Sequence, residues 1–188
     1  MRADGVAREV QNLPKSRRLY SAQAPTTSPA LFMTLATAIS PPALVLDSNV
    51  VLDWLVFANP GVAPIRDAVL AGAVRWIASA DMRAELNAVL AYESLRVWSP
   101  DLPALWAQWE RWAQPVAAQA TTGAGSRLRC RDKDDQKFID LALAHGARWL
   151  LSRDKAVLAL ARRAAPLGLQ ICTPERWPGP ATAPTAQA

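Results

Sequence analysis

Residues 43–51 read Ala-Leu-Val-Leu-Asp-Ser-Asn-Val-Val, and this stretch decides the fold class. The four apolar residues predict a short buried strand, and the apolar pattern that resumes at Val50 predicts a helix. Asp47 lies at the junction between the two elements. A carboxylate beside buried surface is costly to desolvate, so its presence there calls for a partner. The stretch therefore predicts a strand, an acidic turn and a helix.

The rest of the folded part continues the alternation of strands and helices. Further strands are predicted at residues 74–78, 149–152 and 169–172. Helices are predicted at residues 50–57, 64–70, 81–90, 102–119 with a kink at Pro115, 133–145 and 155–164. Strands that alternate with helices are typical of a parallel sheet covered on both faces. The expected fold class is therefore α/β with a central parallel sheet.

Composition sets the domain organisation and the compartment. With 188 residues, 51% of them hydrophobic, the chain suits one domain with a core of sufficient size. Residues 1–40 are expected to form a disordered extension, residues 41–176 the folded domain and residues 177–188 a loose tail. No apolar run reaches the roughly 18 residues that a membrane span needs, so no membrane association is expected. The only cysteines, Cys130 and Cys172, form no CxxC pair, which favours a reducing cytoplasm over a disulfide or zinc framework.

Four acidic residues occupy positions from which their side chains can converge. Asp47 and Asp154 each follow a predicted strand, and the carboxyl ends of parallel strands share one rim of the sheet. Glu85 and Asp135 fall on the apolar faces of their helices and so point inward. Four carboxylates in one place repel one another unless a cation neutralises them. The pattern predicts a site for Mg²⁺ or Mn²⁺, which prefer oxygen ligands.

Structural alternatives exist for each of these residues. Asp47 and Asp154 are suitable N-caps for the helices that follow them, and Asp132 or Asp134 for the helix at 133–145. Glu85 has the alternative of pairing with an arginine. A phosphatase of the haloacid-dehalogenase type also begins with a strand that ends in Asp. That chemistry needs a second acid two residues later, where this chain has Asn49.

Three segments resemble PIN-domain nucleases. LDSNVVLDWL at 46–55 resembles the opening motif, ASADMRAELNAVLAY at 78–92 the middle segment, and CRDKDDQKFIDLALAHGARWLLSRDKAVLAL at 130–160 the closing block of one subgroup of toxins from toxin–antitoxin pairs. The resemblance implies a three-layer α/β/α sandwich and a metal-dependent ribonuclease that holds one or two Mg²⁺ or Mn²⁺ ions. It places catalytic and metal-binding roles on Asp47, Glu85, Asp135 and Asp154, with support from Ser48, Asn49, Asp132 and Ser152.

The chain departs from the family pattern at three positions. Lys133 stands where Pro is common, Gln136 where Asn is common, and Arg153 where Gly is common before the last acid. None of these differences removes a carboxylate. We expect Arg153 to alter access to the metal.

Basic residues surround the acidic positions and suggest a phosphate-binding track. We assign RNA binding to Arg127, Arg129, Arg131, Lys133, Arg153 and Lys155, although a solvated face that offsets the nearby acids is the alternative. Trp98, Trp106, Trp109 and Trp112 suggest core packing or an interface with a second copy or an antitoxin. The expected partners are RNA, an antitoxin protein and, in a homodimer, a second copy of the chain. The competing interpretation is a catalytically silent PIN fold that binds RNA or protein.

Overall fold

The apolar run at residues 43–46 forms the first strand, β1 (Ala43–Leu46), whose four residues are all buried. The computed structural model describes residues 40–119, 123 and 127–180. The expected extension, apart from residue 40, and residues 181–188 of the expected tail lie outside the described residues, as do residues 120–122 and 124–126. The described residues belong to a compact unit that begins at Ser40.

The described strands form one parallel sheet. β2 is Arg75–Ala78, β3 is Ala113–Pro115, β4 is Trp149–Leu151 and β5 is Gln170–Cys172. Their order in the sheet is β3-β2-β1-β4-β5, and all neighbours are parallel. Helices connect successive strands and cover the two faces, so the expected three-layer α/β/α arrangement is confirmed. No helix in the described ranges is long and apolar enough to cross a membrane.

The first three helices begin and end within two residues of their predicted positions, whereas the later ones differ more, and the short helix Glu93–Arg96 was not predicted. The helices are α1 (Ser48–Leu55), α2 (Ala63–Leu70), α3 (Ala80–Leu90), α4 (Glu93–Arg96), α5 (Leu102–Trp112), α6 (Gln136–Ala144), α7 (Lys155–Leu158) and α8 (Ala161–Ala164). Short 3₁₀ turns lie at Pro60–Val62, Ala165–Leu167 and Pro174–Arg176. α3 starts where a cap is available, because the Ser79 hydroxyl accepts a hydrogen bond from the Met82 amide at 3.3 Å.

The predicted helix at residues 102–119 is wrong in its second half. α5 ends at Trp112, and the next three residues form β3, which pairs with β2 at the edge of the sheet. Pro115 would remove a helical hydrogen bond, whereas an edge strand accepts a proline readily. The free edge of β2 gives the backbone of Ala113–Pro115 a partner that a continued helix would leave unused. The expected kink is therefore a change of secondary structure.

Two other predicted helices are shorter than expected. α6 begins at Gln136 and not at Lys133, because the Asp132 carboxylate accepts a hydrogen bond from the Asp134 amide at 2.9 Å and holds residues 132–134 in a turn. The segment at 155–164 divides into α7 and α8. Leu160, between them, keeps right-handed angles (φ −86°, ψ −8°). The backbone between α7 and α8 therefore stays in the helical region and does not form a separate loop.

The strand order places a topological switch point between β1 and β4. The chain runs outward from β1 through β2 to β3, then returns to β4 on the other side of β1. The register pairs Leu46 with Leu151, so both strands end level with each other. The Asp47 amide donates to the Leu151 carbonyl at 3.0 Å and extends this pairing. Crevices of this kind, beyond the carboxyl ends of adjacent strands, are where ligands bind in open α/β sheets.

Tryptophans of β2 and β4 fill much of the core on one face of the sheet, since both Trp76 and Trp149 pair in register with Leu44. Trp76 and Trp149 have no solvent exposure, and Trp109 of α5 meets the Trp76 ring edge-on at 4.9 Å between centroids. Trp109 thus belongs to the core, one of the two places expected for it. Trp177 is buried and packs against Trp149 at 5.6 Å, although the sequence analysis placed it in the tail. The described core therefore extends one residue beyond the expected boundary at residue 176.

Arg153 joins three parts of the fold through its side chain. Its Nε donates to Asp53 Oδ2 of α1 at 2.6 Å, and its Nη2 donates to Glu175 Oε1 at 2.5 Å. Asn59 Nδ2 donates to the other Asp53 oxygen at 3.1 Å. A side chain at Gly61 would place its Cβ 3.0 Å from Glu175 Oε1, so glycine leaves room for the carboxylate that pairs with Arg153. We call the pairs of Arg153 with Asp53 and Glu175 the Arg153 clamp.

Replacing Asp53 tests the strength of this clamp. Asp53 is buried and Arg153 is about a third exposed, so Asp53→Asn removes the buried charge partner of the guanidinium and leaves it only the exposed Glu175. We expect a loss of about 1–3 kcal/mol in the free energy of unfolding, less than for a fully buried pair because water screens the arginine. Urea unfolding measures it. The control is Asp67→Asn, which breaks the exposed Arg66–Asp67 pair and should cost less than about 0.5 kcal/mol. Equal losses in the two variants would contradict the clamp.

Candidate active site

Asp47 is the buried centre of the site. It is 3% exposed, and its Oδ2 accepts hydrogen bonds from Ser152 Oγ and, at 2.8 Å, from Asn49 Nδ2. Burial raises the pKa of Asp47, an effect that the hydrogen bonds from Ser152 and Asn49 oppose and that the nearby Glu85 charge reinforces. Asp47 occupies the N-cap position of α1 but makes no side-chain cap hydrogen bond. Its carboxylate is therefore directed to the site and does not serve the helix.

Ser152 and Asn49 connect the ends of the two central strands. Ser152 is fully buried, and its hydroxyl oxygen accepts a hydrogen bond from the Asp154 amide at 2.9 Å while it donates to Asp47. The Asn49 side-chain oxygen accepts a hydrogen bond from the Arg153 amide at 3.1 Å. These bonds fix the turn after β1 to the turn after β4. They hold Asp47 and Asp154 on the same rim.

Glu85 reaches the rim from α3. Its Oε1 accepts a hydrogen bond from Ser48 Oγ at 2.7 Å, and its Oε2 forms an ion pair with Lys137 of α6. Oε2 is buried and receives no hydrogen bond of regular geometry in the described ranges. The partner is thus a lysine where the alternative interpretation expected an arginine. Nothing in the local sequence shows that Lys137 faces an acid on another helix.

Asp135 lies at the N-terminus of α6 and has no side-chain cap bond. Its pKa is raised to about 6, first by desolvation and then by the charges of Asp47, Asp154, Asp132 and Glu85. These charge contributions, and the hydrogen bonds that join Ser152 to Asp47 and Ser48 to Glu85, indicate that the acids face the same rim. We call the four predicted positions the acidic cluster (Asp47, Glu85, Asp135 and Asp154).

Asp154 serves two purposes. Its Oδ1 caps α7 by accepting hydrogen bonds from the Ala156 amide at 2.6 Å and the Val157 amide at 3.4 Å. The structural alternative considered for this residue is therefore present. One carboxylate oxygen, Oδ2, has no hydrogen bond among the described residues and is available to a ligand. A cap and a ligand role are compatible because they use different oxygens.

The acidic cluster does not form a ready-made cage. Within the described ranges, no three Asp, Glu, His or Cys residues are grouped so that they already enclose a metal ion. Glu85 is drawn to Ser48 and Lys137, and one oxygen of Asp154 is turned to α7. The donor set nevertheless fits a hard divalent cation, because it consists of carboxylate oxygens, and neighbouring negative charges contribute to the raised pKa values of Asp47 and Asp135.

The histidine and the two cysteines are not free bases or thiolates. The single histidine, His145, follows α6 and its Nε2 lies 2.8 Å from the Ala117 carbonyl oxygen. Burial raises the pKa of Cys172 to about 11 and also raises that of Cys130, which keeps both thiols protonated. These three side chains therefore supply no activated nucleophile to the acidic cluster.

The basic residues divide into free and engaged groups. Arg127, Arg129 and Arg131, which we call the basic segment, are exposed, and the residues between them, Leu128 and Cys130, are buried. The three guanidinium groups thus emerge on the solvent side, as the alternate spacing predicts. Lys133 and Lys155 are also exposed, whereas the Arg153 guanidinium is paired with Asp53 and Glu175.

A groove next to Asp154 collects several of these cations. Its volume is about 660 Å³. The charged residues that line it are Arg129, Arg131, Asp154, Lys155 and Arg163. Arg163 is a residue that the sequence analysis missed, since it lies on α8, far along the chain from the basic segment. Its Nη2 donates to the Arg127 carbonyl at 2.8 Å and so anchors the segment as well as adding charge.

Gln136 is the second anchor that sequence analysis did not assign. Its Oε1 accepts from the Cys130 amide at 2.7 Å, and its Nε2 donates to the Leu128 carbonyl at 3.1 Å and to Asp140 at 2.9 Å. Gln136 therefore fixes the basic segment against α6. The family pattern commonly has the shorter Asn at this position. In the sequence, its position directly after Asp135 was the indication that Gln136 has a role near the site.

Comparison with known proteins places this architecture in a family. The sequence profile described as PIN domain matches residues 43–156. The chain belongs to the PIN domain family. No curated protein sequence matches this PIN domain. Among solved structures it resembles a chain in the crystal structure of VapBC2 from Rickettsia felis bound to a DNA fragment from their promoter, with a TM-score of 0.48 and 16% identity over 69% of this chain and 98% of the other.

Metal-free stability of this PIN domain should depend on Asp135. Its folded-state pKa of about 6 exceeds the ordinary 3.8, so between these pH values the folded state binds a proton that the unfolded chain releases. The Asp135 contribution to stability is therefore lost as pH rises through this window. Asp135→Asn should raise the free energy of unfolding above pH 6 by on the order of 1 kcal/mol, after allowance for partial exposure, and change little near pH 4.

Thermal unfolding in chelator, near pH 4 and at pH 7, measures the difference in stability between Asp135→Asn and wild type. Asp134→Asn is the matched control, because Asp134 is the exposed neighbour. Glu85→Gln and Asp154→Asn should give no such gain, since Glu85 has an ion-pair partner and Asp154 caps α7. An Asp135→Asn protein that is no more stable than wild type at pH 7 would show that the repulsion is absent.

Proposed function

We propose that this PIN domain is a divalent-metal-dependent endoribonuclease that hydrolyses phosphodiester bonds of single-stranded or structured RNA. The observation that carries the proposal is Asp47, a buried carboxylate at the switch point of the sheet. Glu85 and Asp135 are close enough to interact with it electrostatically, and Asp154 is joined to it through Ser152. Among the described residues Asp47 accepts side-chain hydrogen bonds from the neutral groups of Ser152 and Asn49 and forms no ion pair.

Asp47, Glu85, Asp135 and Asp154 would hold one or two Mg²⁺ or Mn²⁺ ions. A bound ion of this kind supplies a water of lowered pKa and neutralises charge on the phosphate. The chain's own residues prepare the site: Ser152 and Asn49 orient the Asp47 carboxylate, and Ser48 orients Glu85. Asp132, whose Oδ1 supports the turn before α6, acts at the outer edge of the cluster.

The basic groove supplies the contact to the RNA backbone. Arg129, Arg131 and Lys155 line the same groove as Asp154, so a phosphate chain held by these cations reaches the acidic cluster. Lys133 and Arg127 extend the positive surface. Arg153 contributes through the fold, because its guanidinium is occupied by two carboxylates.

The partner assignment rests on the sequence resemblance to toxin components. On that basis the protein is the toxin of a toxin–antitoxin pair in the cytoplasm and binds an antitoxin protein. Tyr92, Val97, Trp98 and Leu102 are large exposed apolar residues at which such a partner, or a second copy in a homodimer, would find apolar contact area.

Metal-dependent cleavage separates this proposal from its alternative, an RNA- or protein-binding PIN fold without catalysis. The alternative draws support from Glu85, which is paired with Lys137 and so is withdrawn from a metal cage. A labelled single-stranded RNA and the DNA of the same sequence are incubated with enzyme in chelator, Mg²⁺ or Mn²⁺. Cleavage of RNA in either metal but not in chelator supports the nuclease. RNA retention without cleavage in all three buffers supports the silent binder.

A further inference from the structure

Lys137 of α6 is inserted at the edge of the acidic cluster. Its ammonium pairs with Glu85 Oε2 and donates a hydrogen bond to the Asp134 carbonyl. The exposed fractions of the two paired side chains are 27% for Lys137 and 25% for Glu85. The ion pair is therefore largely shielded, and salt screens such pairs less than those on the open surface.

Glu85 depends on this lysine for its charge balance. Ser48 satisfies Oε1, but the buried Oε2 receives no hydrogen bond of regular geometry from the described residues. Without Lys137, Glu85 would keep a buried negative oxygen beside Asp47 and Asp135, whose pKa values its charge already raises. Loss of one partner from a shielded pair is costly because it leaves an uncompensated charge.

We propose that Lys137 is an internal counter-cation of the acidic cluster and competes with a divalent metal ion for Glu85. The inference takes its ligand, Mg²⁺ or Mn²⁺, from the proposed function. A metal ion bound to Glu85 Oε2 would lie close to the ammonium group of Lys137, and repulsion between the two positive charges favours displacement of the lysine. Without metal, the ammonium group of Lys137 stabilises the acidic cluster. When Mg²⁺ or Mn²⁺ binds, the metal ion takes over this role.

The structure provides a place for the displaced side chain. A cleft of about 240 Å³ adjoins Lys137 and is also lined by the carboxylates Asp81 and Asp140. Lys137 needs no new backbone conformation to turn toward it, because a lysine side chain has four rotatable bonds. Lys137 acts on the site through Glu85 and is therefore a positioning residue.

Lys137→Met, which keeps most of the length and removes the charge, tests the competition without RNA. In chelator we expect its Tm to fall by about 2–4 °C relative to wild type. Calorimetry should show Mn²⁺ binding about tenfold more tightly than in wild type, because no ammonium has to be displaced. Lys137→Arg should retain the wild-type Mn²⁺ affinity. Arg162→Met, which removes a charge from an exposed position on α8, is the control and should change neither quantity.

Each outcome decides the proposal. Weaker or equal Mn²⁺ binding by Lys137→Met overturns it, since the lysine then supports or ignores the metal. Equal effects of Arg162→Met overturn it as well, because net charge alone would explain them. A wild type that binds no Mn²⁺ contradicts the proposed function. In that case a gain of binding in Lys137→Met still supports the counter-cation, and its absence rejects it.

Discussion

Asp47→Asn should abolish RNA cleavage, with kcat/KM at least about a hundredfold below wild type. Removal of a group that merely orients a metal ligand typically costs 10- to 100-fold, and loss of a ligand's charge is expected to cost more. Asp47 is the most buried of the four acids and the one whose carboxylate Ser152 and Asn49 both orient. The remaining acids cannot replace it from their positions on other elements.

The fold should survive this substitution. Asparagine has the shape of aspartate, and its side-chain oxygen can accept the two hydrogen bonds that Asp47 Oδ2 now accepts. Because burial raises the pKa of Asp47, the folded state disfavours the ionised carboxylate relative to a neutral side chain. The Tm of Asp47→Asn in chelator should therefore equal or exceed that of wild type. Lower activity in this variant then cannot be attributed to unfolding.

Rates on labelled RNA in Mn²⁺, with circular dichroism on the same preparations, measure the two effects together. Asp67→Asn is the matched control, because Asp67 is exposed on α2 and distant in sequence from every acid of the cluster. Cleavage by Asp47→Asn at more than a tenth of the wild-type rate would remove Asp47 from the catalytic centre.

Local patterns predicted the central strands well, and they predicted that Asp47 and Asp154 follow strands. β1 begins and ends where its four apolar residues do, and Asp47 and Asp154 follow strands whose register brings their ends level. The resulting convergence needed only the rule that ligands gather beyond parallel strands. What the sequence could not show were contacts between distant elements. Lys137 meets Glu85 across 52 positions and Arg153 meets Asp53 across 100, and neither distance leaves a local pattern.

The error at residues 113–115 has the same origin. Apolar spacing in α5 continued past Trp112 to Val116, so a longer helix was the better local prediction. Residues 113–115 form a strand because they pair with the edge of β2, and that edge exists only after the sheet has formed. Likewise the role of Gln136 as an anchor became visible only when the basic segment lay beside α6.

Neutralising the basic segment should weaken RNA binding and reduce its salt dependence. The three arginines are exposed on one side, and the backbone that carries them is anchored by Gln136 and Arg163. Their positions are therefore set before RNA binds. Arg127→Gln, Arg129→Gln and Arg131→Gln together should lower affinity about 10- to 100-fold at low salt. The slope of log K against log salt should fall by up to about 2, which corresponds to three phosphate contacts on a single strand.

Turnover at saturating RNA should change less than affinity, because the acidic cluster is intact in this variant. Fluorescence anisotropy in chelator, at several salt concentrations, measures binding separately from cleavage. The control replaces Arg66, Arg83 and Arg96 by Gln, which removes the same net charge from other elements. If both triple variants lose the same slope, overall charge governs binding. A basic-segment variant with wild-type slope would instead leave Lys155 and Arg163 as the cations of the groove that contact phosphate, because Arg153 is already paired with Asp53 and Glu175.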